Sequence, residues 1–264
     1  MALLAFDIGN TQTTIGVWHD GEWRQQWRLQ TAHDRTADEY GIFIKSLLRE
    51  GNFENLVTRV AISSVVPALT ATMTQACERY LKAPVLEVRY DIPLGITVAT
   101  ENPAEVGADR IANAVGAFRK YRRACIVIDM GTATTFDVVS AEGDLLGVVI
   151  SPGLRLAADA LTGRAARLSG VALQAPPQVV GRNTVHAIQA GLIFGYAGLV
   201  EGIVRRLKAE IGDPDLLVIG TGGLISLISA EVDVIDELDP YLTLDGIRLI
   251  SELNDDLLAR EGNG

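Results

Sequence analysis

The sequence predicts an α/β fold of two duplicated halves, each a mixed β-sheet flanked by helices. Two observations carry this. Short apolar runs alternate with amphipathic segments along the chain, as strands alternate with helices. The opening stretch LLAFDIGNTQTTIGVW also returns, altered, as CIVIDMGTATTFDVV at residues 125–139. A shift of 122 residues lays Asp7 on Asp129, Gly9 on Gly131, Thr13 on Thr135, Val17 on Val139 and Gly21 on Gly143. Each copy reads as a strand, an acidic turn, a second strand and a tight acidic-glycine turn into a third strand. The halves are expected at residues 1–115 and 116–264.

The elements follow in order. Leu3 to Phe6 and Ile15 to Trp18 are the first two strands. In TADEYGIFIKSLLREG, Thr36 and Glu39 have capping-box spacing, Tyr40, Phe43, Ile44, Leu47 and Leu48 form one apolar stripe, and Gly51 is the stop. VTRVAISSVVP is a strand ending at Pro67, with a helix after it. GADRIANAVGAFRKYRR is a helix with Ile111, Val115 and Phe118 on one face. VHAIQAGLIFGYAGLVEGIVRRLKAEIG is a long, mostly apolar helix with several glycines, either deeply buried or packed on a partner chain. LLVIGTGGLISLI is a strand, a glycine turn and a helix.

Composition narrows the function. With 264 residues, 48% hydrophobic and 21% charged, the chain has an ordinary globular make-up. A net charge of −10 argues against a nucleic-acid backbone or an anionic membrane as the main partner. No uninterrupted apolar run approaches the roughly 18 residues of a membrane span, and the start lacks a basic signal-peptide region, so a soluble cytoplasmic protein is expected. Cys77 and Cys125 form no CxxC and read as buried structural thiols. His19, His33 and His186 show no metal-ligand spacing.

The opening hairpin raises a chemical question. A turn of glycine and small polar side chains lets backbone N–H groups approach an anion. An aspartate beside it would repel a bare phosphate, but suits one that arrives with a divalent cation. Asp7 through Thr14 therefore reads as a metal–nucleotide phosphate site, or else as an ordinary Asp/Gly/Asn turn. The second copy favours the first reading. The P-loop signature is absent, and no GxGxxG follows a strand. GTGG at 220–223 is either a site for a ring or ribose against the backbone or a plain strand-to-helix turn. Asp109 is either a helix-start aspartate or a general base, with Arg110 beside it to hold an anionic substrate group.

Taken in order, DIGNT (7–11), AISSVVP (61–67), ENPAEVGADR (101–110), DMGTATT (129–135), GVVISPG (147–153), GRNT (181–184) and GTGG (220–223) closely resemble the type III pantothenate kinase family. The closing DPYLTLDGIRLISELN fits as well, so the resemblance covers nearly the whole chain. It implies two duplicated ribonuclease-H-like halves of the actin-like ATPase kind. It also implies ATP-dependent phosphorylation of the primary hydroxyl of pantothenate to 4'-phosphopantothenate, the first step of coenzyme A synthesis.

By the same resemblance, Asp7, Ile8, Gly9, Asn10, Thr11, Gln12, Thr13 and Thr14 would hold Mg2+-ATP phosphates, and Thr132 would touch ATP. Asp109 would be the catalytic base. Thr100, Gly107, Ala108, Asp109, Arg110 and Thr184 would line the pantothenate site, with Thr184 reaching in from the neighbouring subunit of a homodimer. Asp129 would hold a monovalent cation, K+ or NH4+. The family usually has a tyrosine where this chain has Thr100, and the loss of that aromatic wall bears on substrate affinity more than on reaction class. Two other readings stand beside this one: a non-catalytic regulatory or accessory protein on the same scaffold, and a kinase for another small hydroxyl compound.

Overall fold

A computed structural model describes residues 1–163 and 171–255, and the chain divides into two compact units. The first unit begins with β1 (Ala2–Ile8), β2 (Gln12–His19) and β3 (Glu22–Gln30), an antiparallel meander. Then come α1 (Ala37–Glu50), β4 (Val57–Ser64), α2 (Pro67–Leu81), β5 (Val85–Glu87), β6 (Thr97–Val98) and α3 (Ala108–Tyr121). Its main sheet has the order β3-β2-β1-β4-β5, with β1–β4 and β4–β5 parallel.

Most of the second unit is β7 (Cys125–Met130), β8 (Ala133–Val139), β9 (Asp144–Pro152), α4 (Leu154–Gly163), α5 (Thr184–Ile211), β10 (Leu217–Thr221), α6 (Ile225–Ser229) and β11 (Glu237–Leu238). Residues 143–145, at the start of β9, group with the first unit, where Asp144 and Leu145 pair with Thr97 and Val98 of β6. The final helix, α7 (Leu242–Leu253), also belongs to the first unit.

The second unit's strands run β11-β10-β7-β8-β9, with β7–β8 antiparallel and β7–β10 parallel. Read from the other edge, this matches the first sheet strand for strand. Both acidic-glycine turns carry a left-handed glycine, Gly21 at φ +82° and Gly143 at φ +94°. The 122-residue shift, however, does not survive the first turn of each copy. Asp7 faces Thr14 across its hairpin, whereas Asp129 faces Thr135. The first turn holds one residue more, so Thr135 occupies the ladder position of Thr14 rather than of Thr13.

The apolar run of β1 reads as continuous because both sheet faces are covered. Side chains alternate with a period of two. Leu4, Phe6 and Ile8 therefore pack with Tyr40, Ile44 and Leu48 of α1 and with Leu69 and Met73 of α2. Leu3 and Ala5 point the other way, into a cluster with Ala108, Ile111 and Val115 of α3 and Ile247 and Ile250 of α7. The predicted capping box opens α1: the Thr36 side chain accepts from the Glu39 N–H, and the Glu39 carboxylate accepts from the Thr36 N–H at 2.7 Å. In the second unit, Ile193, Tyr196, Val200 and Val204 of α5 bury against Ile126, Ile128, Phe136 and Val138. Helix α5 is long and apolar enough to cross a membrane, but 50% of its most apolar window is buried in the unit.

Helices α3 and α7 touch backbone to backbone. A Cβ on Gly246 would overlap the Ala112 carbonyl oxygen, far inside van der Waals contact distance, and one on Gly116 would lie 2.6 Å from the Leu242 carbonyl. Buried Asn113 accepts from the Thr243 hydroxyl at 2.7 Å across the same contact. Gly246→Ala should therefore cost about 1–3 kcal/mol through overpacking, seen as a lower urea midpoint at unchanged slope. An unchanged midpoint would mean that α7 shifts off α3 without cost.

Candidate active site

In the first unit the site grows from the end of β1. Asp7 is the penultimate residue of the strand, and lies beside Ser63 in the parallel ladder with β4. Parallel partners share a face, and here it is the face covered by α3. The Ser63 hydroxyl is buried and has no hydrogen-bond partner among the described residues. Beyond Asp7 the chain turns tightly, with the Gly9 N–H donating to the Gln12 carbonyl at 3.0 Å. Asn10, Thr11 and Gln12 stand exposed on the turn, while Ile8 and Thr13 are buried.

The turn is held from behind by the segment that follows β3. The Thr31 hydroxyl donates to the Gly9 carbonyl at 2.7 Å and lies 3.0 Å from the Thr13 hydroxyl. The Thr31 N–H donates to the Thr11 carbonyl at 2.9 Å, and the His33 ring Nε2 meets the Asn10 carbonyl at 3.2 Å.

The end of β4 connects this turn to the start of α3. The Val65 N–H donates to the Ile8 carbonyl at 3.1 Å, and a Cβ on Gly107 would lie 3.2 Å from Val65 Cγ1. The same Cβ would lie 2.5 Å from Asp109 Oδ1, so a side chain at residue 107 would displace that carboxylate. The N–H groups of Arg110 and Ile111 both donate to the Gly107 carbonyl as α3 begins. Asp109 sits half-buried in the first helical turn, its Oδ1 accepting from the Arg110 N–H at 2.9 Å. Ala108 is buried in the core. Thr100 is half-buried, and its hydroxyl has no hydrogen-bond partner among the described residues. The first unit thus brings the Asp7 turn and residues 107–110 together at the carboxyl ends of β1 and β4, where open α/β sheets bind ligands.

The second unit repeats the arrangement around Asp129. This residue pairs with Thr135 across the hairpin and with Thr221 in the parallel ladder. Gly222 has φ +92°, and a Cβ on it would lie 2.5 Å from Asp129 Oδ1. Gly222 of GTGG is therefore what allows this turn to press against the carboxylate. The Gly153 N–H donates to the Thr132 carbonyl at 3.1 Å, which ties the end of β9 to the β7–β8 turn. The buried Tyr196 hydroxyl donates to the Pro152 carbonyl at 2.5 Å and lies 2.7 Å from the Thr134 hydroxyl. Burial pushes the Tyr196 phenol up from its ordinary value. Thr184 stands apart from these residues as the exposed first residue of α5, after Asn183, whose side chain accepts from the His186 N–H.

Several of these contacts were silent in the sequence. Thr31, Ser63 and Tyr196 belong to no motif with a chemical reading, and their importance comes from partners far along the chain. Among the described residues, no three His, Cys, Asp or Glu side chains gather as a metal cluster. Burial pushes the Cys77 and Cys125 thiols up to about 12, far from nucleophilic use at neutral pH. A cavity of about 360 Å³ lined by Arg123, Lys208, Asp215 and Asp236 opens near the starts of β7 and β10, away from Asp129 at the other end of its strand.

A family model described as type III pantothenate kinase matches residues 3–206. Proteins named type III pantothenate kinase from Anaeromyxobacter sp. (strain Fw109-5) and Roseiflexus sp. (strain RS-1) are each 47% identical over 253 residues, covering 96% of this chain and 99% of theirs. One from Myxococcus xanthus (strain DK1622) is 44% identical over 249 residues, covering 94% of this chain and 97% of its own. Among solved structures, a conserved putative Baf family transcriptional activator from Campylobacter jejuni aligns with TM-score 0.56 at 20% identity, covering 96% of this chain and 99% of that one. Component A of the Acidaminococcus fermentans (R)-2-hydroxyglutaryl-CoA dehydratase aligns with TM-score 0.55 at 14% identity, covering 98% and 99%. At those identities the structural matches show the shared fold alone.

Proposed function

The chain belongs to the type III pantothenate kinase family, and on that premise we propose which of its residues carry the reaction. The protein is a kinase that uses ATP to phosphorylate pantothenate, the first step of coenzyme A synthesis. Relatives named for pantothenate along nearly their whole length do not favour the accessory-protein reading or another small hydroxyl substrate.

The observation that carries the residue assignment is the packing of Asp109 and Gly107 through Val65 onto the end of β1. Asp109 is the base. It takes the proton from the primary hydroxyl as that oxygen attacks the γ-phosphorus, and ADP leaves. Such transfers need positioning and charge neutralisation more than covalent help. The turn from Asp7 to Thr14 receives the ATP phosphates, with Ile8 and Thr13 acting from the buried side. Thr132, on the β7–β8 turn, is assigned to ATP.

The donor set around Asp7 is a carboxylate with a buried hydroxyl beside it, which fits a hard divalent cation such as Mg2+. When bound with ATP, that ion offsets phosphate charge. Asp129 is the proposed holder of a monovalent cation, K+ or NH4+, with the left-handed Gly222 turn packed close beside its Oδ1. Arg110 and the backbone of residues 107–109 hold pantothenate. The buried, unpartnered hydroxyl of Thr100 supplies a hydrogen bond to the substrate where the family's tyrosine supplies a wall.

The working form we propose is a homodimer built on α5, with Thr184 of each copy at the interface. Gly191, Gly195 and Gly198 lie on one side of that helix, and a Cβ added to any of them would meet nothing within 4 Å among the described residues. Leu146, Val148 and Ile150 also expose an apolar row along β9. We place the reaction in the cytoplasm, and neither nucleic acid nor membrane is a partner of this acidic chain.

Asp109→Asn should lower kcat by about 10²–10⁴-fold with an unchanged circular dichroism spectrum. Near-normal turnover in that variant would remove Asp109 from the base role. Replacing potassium with sodium should reduce the wild-type rate, and equal rates in the two salts would discard the cation assignment of Asp129. Gly195→Leu should turn a dimer into a monomer by sedimentation velocity. A wild-type monomer, or a variant that stays dimeric, would sink the α5 interface.

A further inference from the structure

We propose that Thr31, assisted by His33, is a positioning residue for the ATP phosphates. It sets the polarity of the Asp7 turn by drawing the turn's carbonyl oxygens away from the nucleotide. This rests on the reading of that turn as the phosphate site.

Three consecutive carbonyls of the turn, those of Gly9, Asn10 and Thr11, all point back to the segment 31–33. The Thr31 hydroxyl takes the first, the His33 ring the second and the Thr31 N–H the third. In a trans peptide the C=O and the following N–H point in opposite directions. Drawing these three oxygens to one side therefore turns the N–H groups of Asn10, Thr11 and Gln12 to the other. Successive N–H groups facing one way make an anion-binding concavity. The same peptides reversed would present three partial negative charges to the phosphates.

The segment doing the pulling is itself held. Thr31 is 6% exposed. The Ala32 carbonyl accepts from the Tyr40 hydroxyl at 2.7 Å, and Tyr40 is buried in α1. Thr36, three residues after His33, caps the same helix. The turn is thus tied through Thr31 and Tyr40 to the core beneath α1, which spares it from having to order itself when the nucleotide arrives.

Thr31→Val keeps the shape and loses the hydroxyl, so the Gly9 carbonyl is released. Its Kd for MgADP by isothermal titration, and its KM for MgATP, should each rise about tenfold. The KM for pantothenate should stay within about twofold, and Thr31→Ser should restore nucleotide binding to within about twofold of wild type. An unchanged Kd, an equal rise in the pantothenate KM, or a serine variant no better than valine would each overturn the proposal. If Thr31→Val does not fold, the exposed His33→Ala decides. It should weaken MgADP binding about threefold, and unchanged binding would reject the idea. Asp7→Asn is titrated alongside. Weak MgADP binding there with normal binding in Thr31→Val rejects only the role of Thr31. Normal binding in both rejects the phosphate assignment of the turn itself.

Discussion

The parallel pairing of β1 with β4 is the constraint on which the first unit's site depends. It puts Asp7 beside Ser63 and lets the Val65 N–H close on the Ile8 carbonyl. Val65 in turn meets the space above Gly107, and so sets where α3 can start and where its Asp109 lies. A slip of one residue in this ladder would reverse the faces. Asp7 would then point into the apolar layer under α1 and α2, where a carboxylate has no partner and a high cost of burial.

The second unit repeats the device with different parts. β7 pairs with β10 as β1 pairs with β4, and Asp129 stands where Asp7 stands. What meets the carboxylate differs. Ser63 lies beside Asp7 and Thr221 beside Asp129 in the adjacent strands, but in the second unit the left-handed Gly222 just past the strand end also closes on the carboxylate. One copy of the motif leaves a turn whose amides can face an anion. The other, one residue shorter, has a left-handed glycine packed close to its carboxylate.

Close backbone approach recurs wherever the chain must place a functional group. Gly107 makes room for Asp109, Gly222 for Asp129, and Gly116 with Gly246 lets α7 lie against α3. Gly107 and Gly222 stood in motifs the sequence marked, but which side chain each makes room for was not written near them, and Gly116 and Gly246 stood in no motif with a chemical reading. A glycine signals that space or an unusual φ is wanted. The neighbour that wants it is known only from the packing.

The sequence by itself determined the class of fold, the two acidic hairpins and the capping box of α1, and its motifs marked the candidate site residues. It could do so because strand alternation, helix periodicity and turn composition are short-range signals. The tertiary structure alone decided that Thr31 and His33 hold the Asp7 turn, that a buried Ser63 stands beside Asp7, that Tyr196 ties α5 to β8 and β9, and that the shift between the copies changes past the first turn. Those contacts join residues 18 to 62 positions apart, and depend on strand register and on which helix covers which face. Neither is encoded in any local stretch of the chain, so a lone threonine after a strand or a tyrosine in a helix looked like ordinary polar or apolar filling until its partner was in place.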